Sequence, residues 1–566
     1  MNLTRRARSA ACLAAAGLCM LPAALNAADS DAAGRLGFGA DVAAAMRGID
    51  AERIRAHVRF LSDDLLEGRG TGVRGGDIAA RYIASQFEQM GLLPAGDDGT
   101  YLQKVDFSGV FTLPDTRASL VPANGRAIDL KLGDDYVTNN QTQTDGVDID
   151  AGIVFAGFGI DAPEYRWNDF KGVDVKGKVL LVIVNEPPSK DPKFFAANAM
   201  TYYGRWTYKF EQAARKGAVG ALIIHRADLA SYGWDVVKNS WTNEQVYLRG
   251  DRDPKLQAAS WIHLEVARKL FAAAGLKLDD MMVAAGKRGF KARTLPLRFK
   301  AHIASRVRQF TAFNVLGLLP GTQAGPASQA VIFSAHYDHL GMDPALPGDK
   351  IYNGAVDNGT GCGILLELAH AFVNAAVRPP HPVLFASVTA EEKGLIGSNY
   401  LGQHLPIPPP RIALNLNFDA INPAGIPESV TVTGAERTTF YPTVEKTARA
   451  FNFQIQPDSE PGAGHYYRSD HFSFARRGVP GFSVGPGAKF VGKPLGWGKA
   501  LAEAYTATNY HRPSDEYSAD MDFTADAIMA QFGFALAWQA LTAAETVQWR
   551  PGDEFEAARL KGDRAH

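Results

Sequence analysis

The chain of 566 residues carries three cysteines, and two of them, Cys12 and Cys19, lie in its first 27 residues. If that segment is removed, Cys362 is left alone and no internal disulfide can form. The fold must then rest on its core and on any bound metal. Charge of one sign is lacking too: 59 Lys and Arg face 60 Asp and Glu, for a net −1, so no basic field points to nucleic acid. Beyond the N-terminal segment no apolar run reaches the ~20 residues that a membrane span requires. Internal repeats and long low-complexity tracts are also absent. With 46% hydrophobic and 21% charged residues, what remains is the composition of an ordinary globular protein of more than one domain.

Residues 1–27 stand apart. Arg5, Arg6 and Arg8 precede an apolar run from Ala10 to about Leu25, and small residues follow at Ala27 and Ala28. This is the layout of a secretory signal peptide, and it predicts export to the periplasm or the exterior. Its loss takes away three arginines and no acid, which lowers the net charge from −1 to −4. Residues 28–48, rich in Ala, Asp and Gly, are expected to form a loose leader.

From Ile49 the pattern turns helical. Ala79, Ile83, Phe87 and Met90 make one apolar face of a helix that Gly91 ends. Between residues 130 and 304 the texture changes. Val154–Phe158, Val179–Val184 and Ala221–Ile224 read as strands, and Tyr208–Lys216 as a helix stopped by Gly217. From Phe310 to about Ala543, short apolar strands at Ala330–Ala335, Val383–Thr389, Ile412–Phe418 and Gly481–Val484 alternate with helices at Ile364–Val373, Gly397–Gln403 and Thr524–Leu541. That alternation predicts an α/β fold: a three-layer, mostly parallel sheet with helices on both faces. The expected domain is built from residues 49–129 and 305–545, interrupted by an insert at 130–304 and followed by a tail at 546–566.

Ligands of such sheets bind beyond the carboxyl ends of the strands, and those ends carry the chemistry here. The first strand runs into His336, with Asp338 two residues on. Asp357 follows 21 residues after His336, before Asn358-Gly359-Thr360-Gly361. The second strand runs into Glu391-Glu392, the third into Asp419, and His511 lies near the domain's end. Each alone is weak. Together they would point into one crevice, where so many carboxylates repel one another unless a cation neutralises them. Imidazole and carboxylate donors without thiolate suit zinc, with manganese or cobalt as alternatives.

These residues sit in "SAHYDH" (334–339), "GAVDNGTG" (354–361), "TAEEKGLIGS" (389–398), "NLNFDA" (415–420) and "YHRPSDEY" (510–517). In order and spacing the five motifs resemble those of the co-catalytic two-zinc aminopeptidases, a family related to glutamate carboxypeptidase and the transferrin receptor ectodomain. The resemblance covers about residues 49–101 and 310–543. It implies two zinc ions: His336 and Asp419 as ligands of one, Glu392 and His511 of the other, and Asp357 bridging both. It further implies Glu391 as general base and Asp338 as the residue that holds His336 in its tautomer. The insert, through "GKVLLVIV" and "FEQAARKGAVGALIIH", resembles the β-rich protease-associated domain of several secreted peptidases. The implied activity is release of N-terminal residues from peptides.

Four residues of a polar, aromatic stretch, Tyr466, Tyr467, Arg468 and Asp470, are candidates for substrate binding. His339, His225, His263 and His370 read as structural, and Cys362 as core packing. Two other readings stay open. One is a carboxypeptidase, dipeptidase or one-zinc cyclotransferase of the same fold, for which Arg468 could meet a substrate carboxylate. The other is a non-catalytic binding ectodomain, which would require lost ligands or a lost base.

Overall fold

A computed structural model describes residues 32–191, 193–197, 199–323, 329–458 and 461–565. The signal-like segment and the first residues of the expected leader lie outside them. The main domain is organised by four parallel strands in the spatial order Val383–Val388, Ala330–His336, Ile412–Asn417, Gly481–Pro486. The first three are buried along their whole length, as continuous apolar runs between two helical layers should be. Successive residues take opposite faces. Val331, Phe333 and Ala335 pack with Ile54, Val58, Ile83, Leu365 and Phe534 on one side. Ile332 packs with Leu384, Leu401 and Phe474 on the other. Helices Ala51–Leu61, Arg74–Met90, Gly361–Asn374 and Thr524–Leu541 form the first layer, and Ile396–Gln403 with His471–Ala475 the second. The sheet extends antiparallel on both flanks, through Ser429–Thr433 beside Gly481–Pro486 and through Arg293–Leu319 beside Val383–Val388.

The strand Arg293–Leu319, 27 residues long, joins the two domains. Its first half pairs with Arg117–Pro122 and Gly146–Phe155 in the insert. Its second half pairs with Leu102–Thr112 and Val383–Val388 in the main domain. The insert therefore begins near Arg117, upstream of the expected residue 130. It is also less purely β than expected. Gly146–Phe155, Val179–Ile183, Gly220–Ile224 and Ala258–Ile262 run parallel, with separate apolar clusters on the two faces. Helices such as Trp206–Arg215 and Leu264–Ala273 cover them, as parallel strands buried on both faces require.

The leader, expected to be loose, and the tail are both packed. Within the leader, Ala40–Arg47 is helical and buries Val42, Ala43 and Met46, a spacing of three and four residues that places one stripe on the core. In the tail, Trp549 and Phe555 are buried beside Tyr466 and Tyr467, and Arg559 donates to the carbonyls of Pro409 and Ile412. Among the described residues no helix is long and apolar enough to cross a membrane.

Candidate active site

Five chain segments deliver the acidic and imidazole residues to the carboxyl edge of the parallel sheet. His336 is the last residue of its strand. Asp338, Glu391, Glu392 and Asp419 follow strand ends directly. Asp357 sits in the turn before helix Gly361–Asn374, and His511 in the loop after helix Trp497–Thr508. Gly354 makes the turn to Asp357 possible. Its φ is +60°, and a Cβ there would lie 2.2 Å from the Asp357 carbonyl oxygen and 2.7 Å from the His339 ring.

The geometry resolves into two halves that share one carboxylate. His336 Nε2 lies 3.1 Å from Asp419 Oδ1 and 3.3 Å from Asp357 Oδ1. His511 Nε2 lies 3.0 Å from Glu392 Oε2 and 3.5 Å from Asp357 Oδ2. Zinc–ligand bonds of 2.0–2.1 Å in tetrahedral geometry set neighbouring donors about 3.3 Å apart. Both halves meet that spacing, so the donors fit zinc in number, chemistry and separation. Glu391 Oε2 stands farther off, 4.0 Å from His336 Nε2.

The environment pushes the two neighbouring glutamates in opposite directions. Burial, reinforced by Glu392, Asp419 and Asp470 and opposed by His336, holds the Glu391 carboxyl well above the usual carboxylate range. Glu392 is buried as well, but His511 and His339 outweigh burial and hold it well below that range. Burial disfavours a charged ring at His511, yet Glu392 and Asp357 raise its pKa to about 10. Adjacent carboxyls driven apart in this way are suited to different tasks.

The supporting contacts differ from the sequence expectation in three places. The Asp338 carboxylate is 3.9 Å from His336 Nδ1, and it is the Asp338 backbone carbonyl that sits within 3.1 Å of that nitrogen. The carboxylate instead accepts from the Glu391 backbone N–H at 3.1 Å and from Thr71 Oγ1 at 3.0 Å, so it fixes the turn that carries both glutamates. His339 is not remote from the chemistry. Its Nδ1 lies 2.6 Å from Glu392 Oε1, and its donor atom clusters with those of Asp357 and Glu392. The signal was present, since His339 lies three residues beyond His336 on a turn leaving the strand.

Tyr466 and Tyr467 are the third difference. The Tyr466 hydroxyl donates to the Gly481 carbonyl at 3.2 Å and the Tyr467 hydroxyl to Glu554 at 2.6 Å. Both rings pack on the C-terminal segment, so these hydroxyls are committed to the core. Tyr510, by contrast, stands beside the donor residues. Its ring stacks on His511 with centroids 4.0 Å apart. Burial, with the charges of Asp357, Glu392 and Glu391 nearby, holds its hydroxyl well above the usual tyrosine range.

The other two candidates do border the cluster. Asp470 is fully buried, and burial, opposed by His336 and the Ser398 hydroxyl, raises its pKa to about 7. Its neighbour Ser469 donates to Asp419 Oδ2. Arg468 reaches into the insert, donating from Nη2 to the Ala230 carbonyl at 3.0 Å. Arg205, which sequence reasoning passed over, comes from the insert. Burial and the nearby Arg468 lower its pKa to about 10, and it feels the Glu391 charge. Cys362 is buried, with its thiol donating to the His336 carbonyl. His225 and His263 belong to the insert, the latter capping helix Leu264–Ala273.

The chain also resembles known proteins. Residues 314–534 match the family model "Peptidase family M28". The chain is 27% identical over 285 residues to leupeptin-inactivating enzyme 1 of Streptomyces exfoliatus, covering 48% of this chain and 59% of that protein. It is 26% identical over 408 residues to a probable leucine aminopeptidase 2 of Aspergillus oryzae, covering 68% and 66%. It thus spans less than two thirds of either relative. The fold resembles that of an aminopeptidase from Aneurinibacillus sp. strain AM-1, with a TM-score of 0.52 and 18% identity over 90% of this chain and 98% of that one.

Proposed function

We propose that this chain, which belongs to peptidase family M28 through residues 314–534, is an exported zinc aminopeptidase that removes N-terminal residues from peptides with two metal ions. The observation that carries the reading is Asp357. Its two carboxylate oxygens face two different imidazole nitrogens, 3.3 and 3.5 Å away, as a carboxylate bridging two cations would. His336 and Asp419 complete one set of donors, and Glu392 and His511 the other. Bound zinc would lower the pKa of water towards ~7 and polarise the scissile carbonyl.

The chain's own residues do the rest. Glu391, set back from both donor sets and with a raised pKa, accepts the proton of the attacking water and hands it to the leaving amine. The Tyr510 hydroxyl, beside the same carboxylates, is placed to donate to the oxygen that gains charge in the tetrahedral intermediate. Asp338 keeps the Glu391 turn in position. The positive start and apolar run of residues 1–27 support export to the periplasm or beyond.

A test pairs metal content with product analysis. The expected result is two zinc ions per chain and release of the first residue from free, but not N-acetylated, leucyl peptides. The arginines at the site favour a second reading as a carboxypeptidase or dipeptidase. Arg205 Nε and Arg468 Nε are buried without a hydrogen-bond partner, as groups awaiting a substrate carboxylate would be. Cleavage of the acetylated peptides from their C-termini would replace the first reading with the second.

His339 yields a narrower expectation. Held 2.6 Å from Glu392 Oε1, it aims the other oxygen at His511, and such supporting contacts are worth about 10–100-fold in metal affinity. His339→Ala should therefore weaken one of the two metals by that factor in a chelator competition. Two unaltered affinities would return His339 to a purely structural role.

A further inference from the structure

An exopeptidase that takes residues from one end must enclose a single residue on one side of the scissile bond and leave the other side open to a chain of any length. The seam between the insert and the 461–468 loop provides such an opening. The insert docks closely there. The Met200 N–H donates to the Pro461 carbonyl at 2.8 Å, Asn185 Nδ2 lies 2.8 Å from the Leu229 carbonyl and 3.5 Å from that of Gly462, and the Met200 side chain fills the space over Gly464. Two cavities flank this contact, of about 590 and 710 Å³, and both are lined by Asn185, Leu229 and Gly462. Together they make one crevice along the seam.

The outer part of the crevice is apolar. Phe158, Ile183, Met200, Leu229, Met282 and Val283 line it, and Val283 is 62% exposed, an unusual position for a large apolar side chain with no partner. Its charged lining residues are largely occupied: Arg226 pairs with Asp228, and Asp279 with Arg268. The inner part reaches Tyr232 and Ala463. There Ala230 and Tyr232 meet the Arg468 guanidinium, and the next residue, Ser469, is bonded to Asp419. The contacts Tyr232–Arg468 and Ser469–Asp419 thus link the inner end of the crevice to a metal ligand through two consecutive residues.

Resting on the aminopeptidase reading, we propose that this crevice is the binding channel for the downstream part of the peptide substrate, and that its outer cavity takes an apolar side chain a few residues downstream of the scissile bond. The insert is then a determinant of substrate length and composition. Apolar contact supplies the affinity, and Asn185 borders both cavities.

Two measurements on the zinc-loaded full chain test it. The first compares leucine release from Leu-Gly with release from Leu-Gly-Gly-Leu-Gly and Leu-Gly-Gly-Asp-Gly. The expected kcat/KM is at least 10-fold higher for the apolar pentapeptide than for the acidic one, the scale of one well-packed apolar contact. Val283→Asp should abolish that ratio, whereas Val377→Asp, at an exposed apolar residue elsewhere, should preserve it. The second measurement places a benzophenone at the fourth position of an N-acetylated pentapeptide and maps the photo-crosslink by mass spectrometry, with capture at Met200 or Met282 expected. Equal rates for the two pentapeptides with leucine still released, or crosslinks outside the crevice, would overturn the channel and leave the aminopeptidase standing. Crosslinking in the crevice with no leucine released would do the reverse.

Discussion

Glu391→Gln should retain the full metal content of the wild type and lose 10²- to 10⁴-fold in kcat, the usual contribution of a positioned general base. The substitution preserves shape and removes only the capacity to take a proton. The turn should not move, because Asp338 Oδ1 holds the backbone N–H of residue 391 rather than its side chain. A competing outcome is built into the same geometry. The Glu391 donor atom also falls within reach of those of His336 and Asp419 as a possible metal-binding trio. If Glu391 were a ligand, the amide would lower metal occupancy together with activity. The distances favour the base: His336 Nε2 is 3.1 and 3.3 Å from Asp419 and Asp357, but 4.0 Å from Glu391. Metal analysis on the same sample as the kinetics separates the two. Loss of zinc, or undiminished turnover, removes Glu391 from the role of base.

The parts of this site that were legible in the sequence share a property. His336, Glu391, Glu392 and Asp419 follow apolar runs that could be recognised as buried strands, and an α/β sheet turns that position into a location. The same regularity gave the boundaries of the Thr524–Leu541 helix and of the four parallel strands of the main sheet to within a residue or two, but not of Val154–Phe158, which begins at Gly146. What was not legible depends on partners distant in the chain. Tyr467 looked available because nothing near it occupies its hydroxyl, yet the acceptor, Glu554, lies 87 residues away. The residues that receive Tyr466 and Tyr467 belong to the segment that read as a tail. The leader misled for a different reason. Its alanines carry little periodic contrast, and only Val42 and Met46 mark the buried stripe. The insert began earlier than its texture suggested because one continuous strand, Arg293–Leu319, serves both domains, and alternation along a strand does not reveal where its partners change.

Arg69 is the extreme case of a residue whose importance no motif announces, and its replacement should have the largest effect on stability. It is fully buried, beside the centre but outside the donor sets. Its guanidinium donates to four backbone carbonyls: Tyr337 at 2.7 Å, Leu61 at 2.5 Å, Asn353 at 2.5 Å and Gly354 at 2.8 Å. Each acceptor ends or begins something the site needs. Tyr337 follows the ligand His336, Asn353 and Gly354 lead to Asp357, and Leu61 closes the helix Ala51–Leu61, whose last carbonyls have no partners within the helix. Burial lowers the pKa of the cation, while Asp515, Asp357 and Asp338 nearby offset that cost.

Replacing a buried charge with an apolar side chain of similar volume is sometimes neutral, but that holds when both partners are replaced. Here the partners are main-chain oxygens that remain. Arg69→Met strands all four, at ~1–3 kcal/mol for each unsatisfied buried group, so the expected loss is at least ~4 kcal/mol. Lysine should rescue little, because one ammonium cannot reproduce the planar fork. Denaturant unfolding of Arg69→Met, with zinc content measured on whatever folds, checks both consequences: a lower midpoint and weakened metal binding as the loops before Asp357 and after His336 lose their common anchor. A destabilisation under ~1 kcal/mol with metal fully retained would mean that these carbonyls find other donors, and that the centre is held by its own ligands rather than by the arginine beneath it.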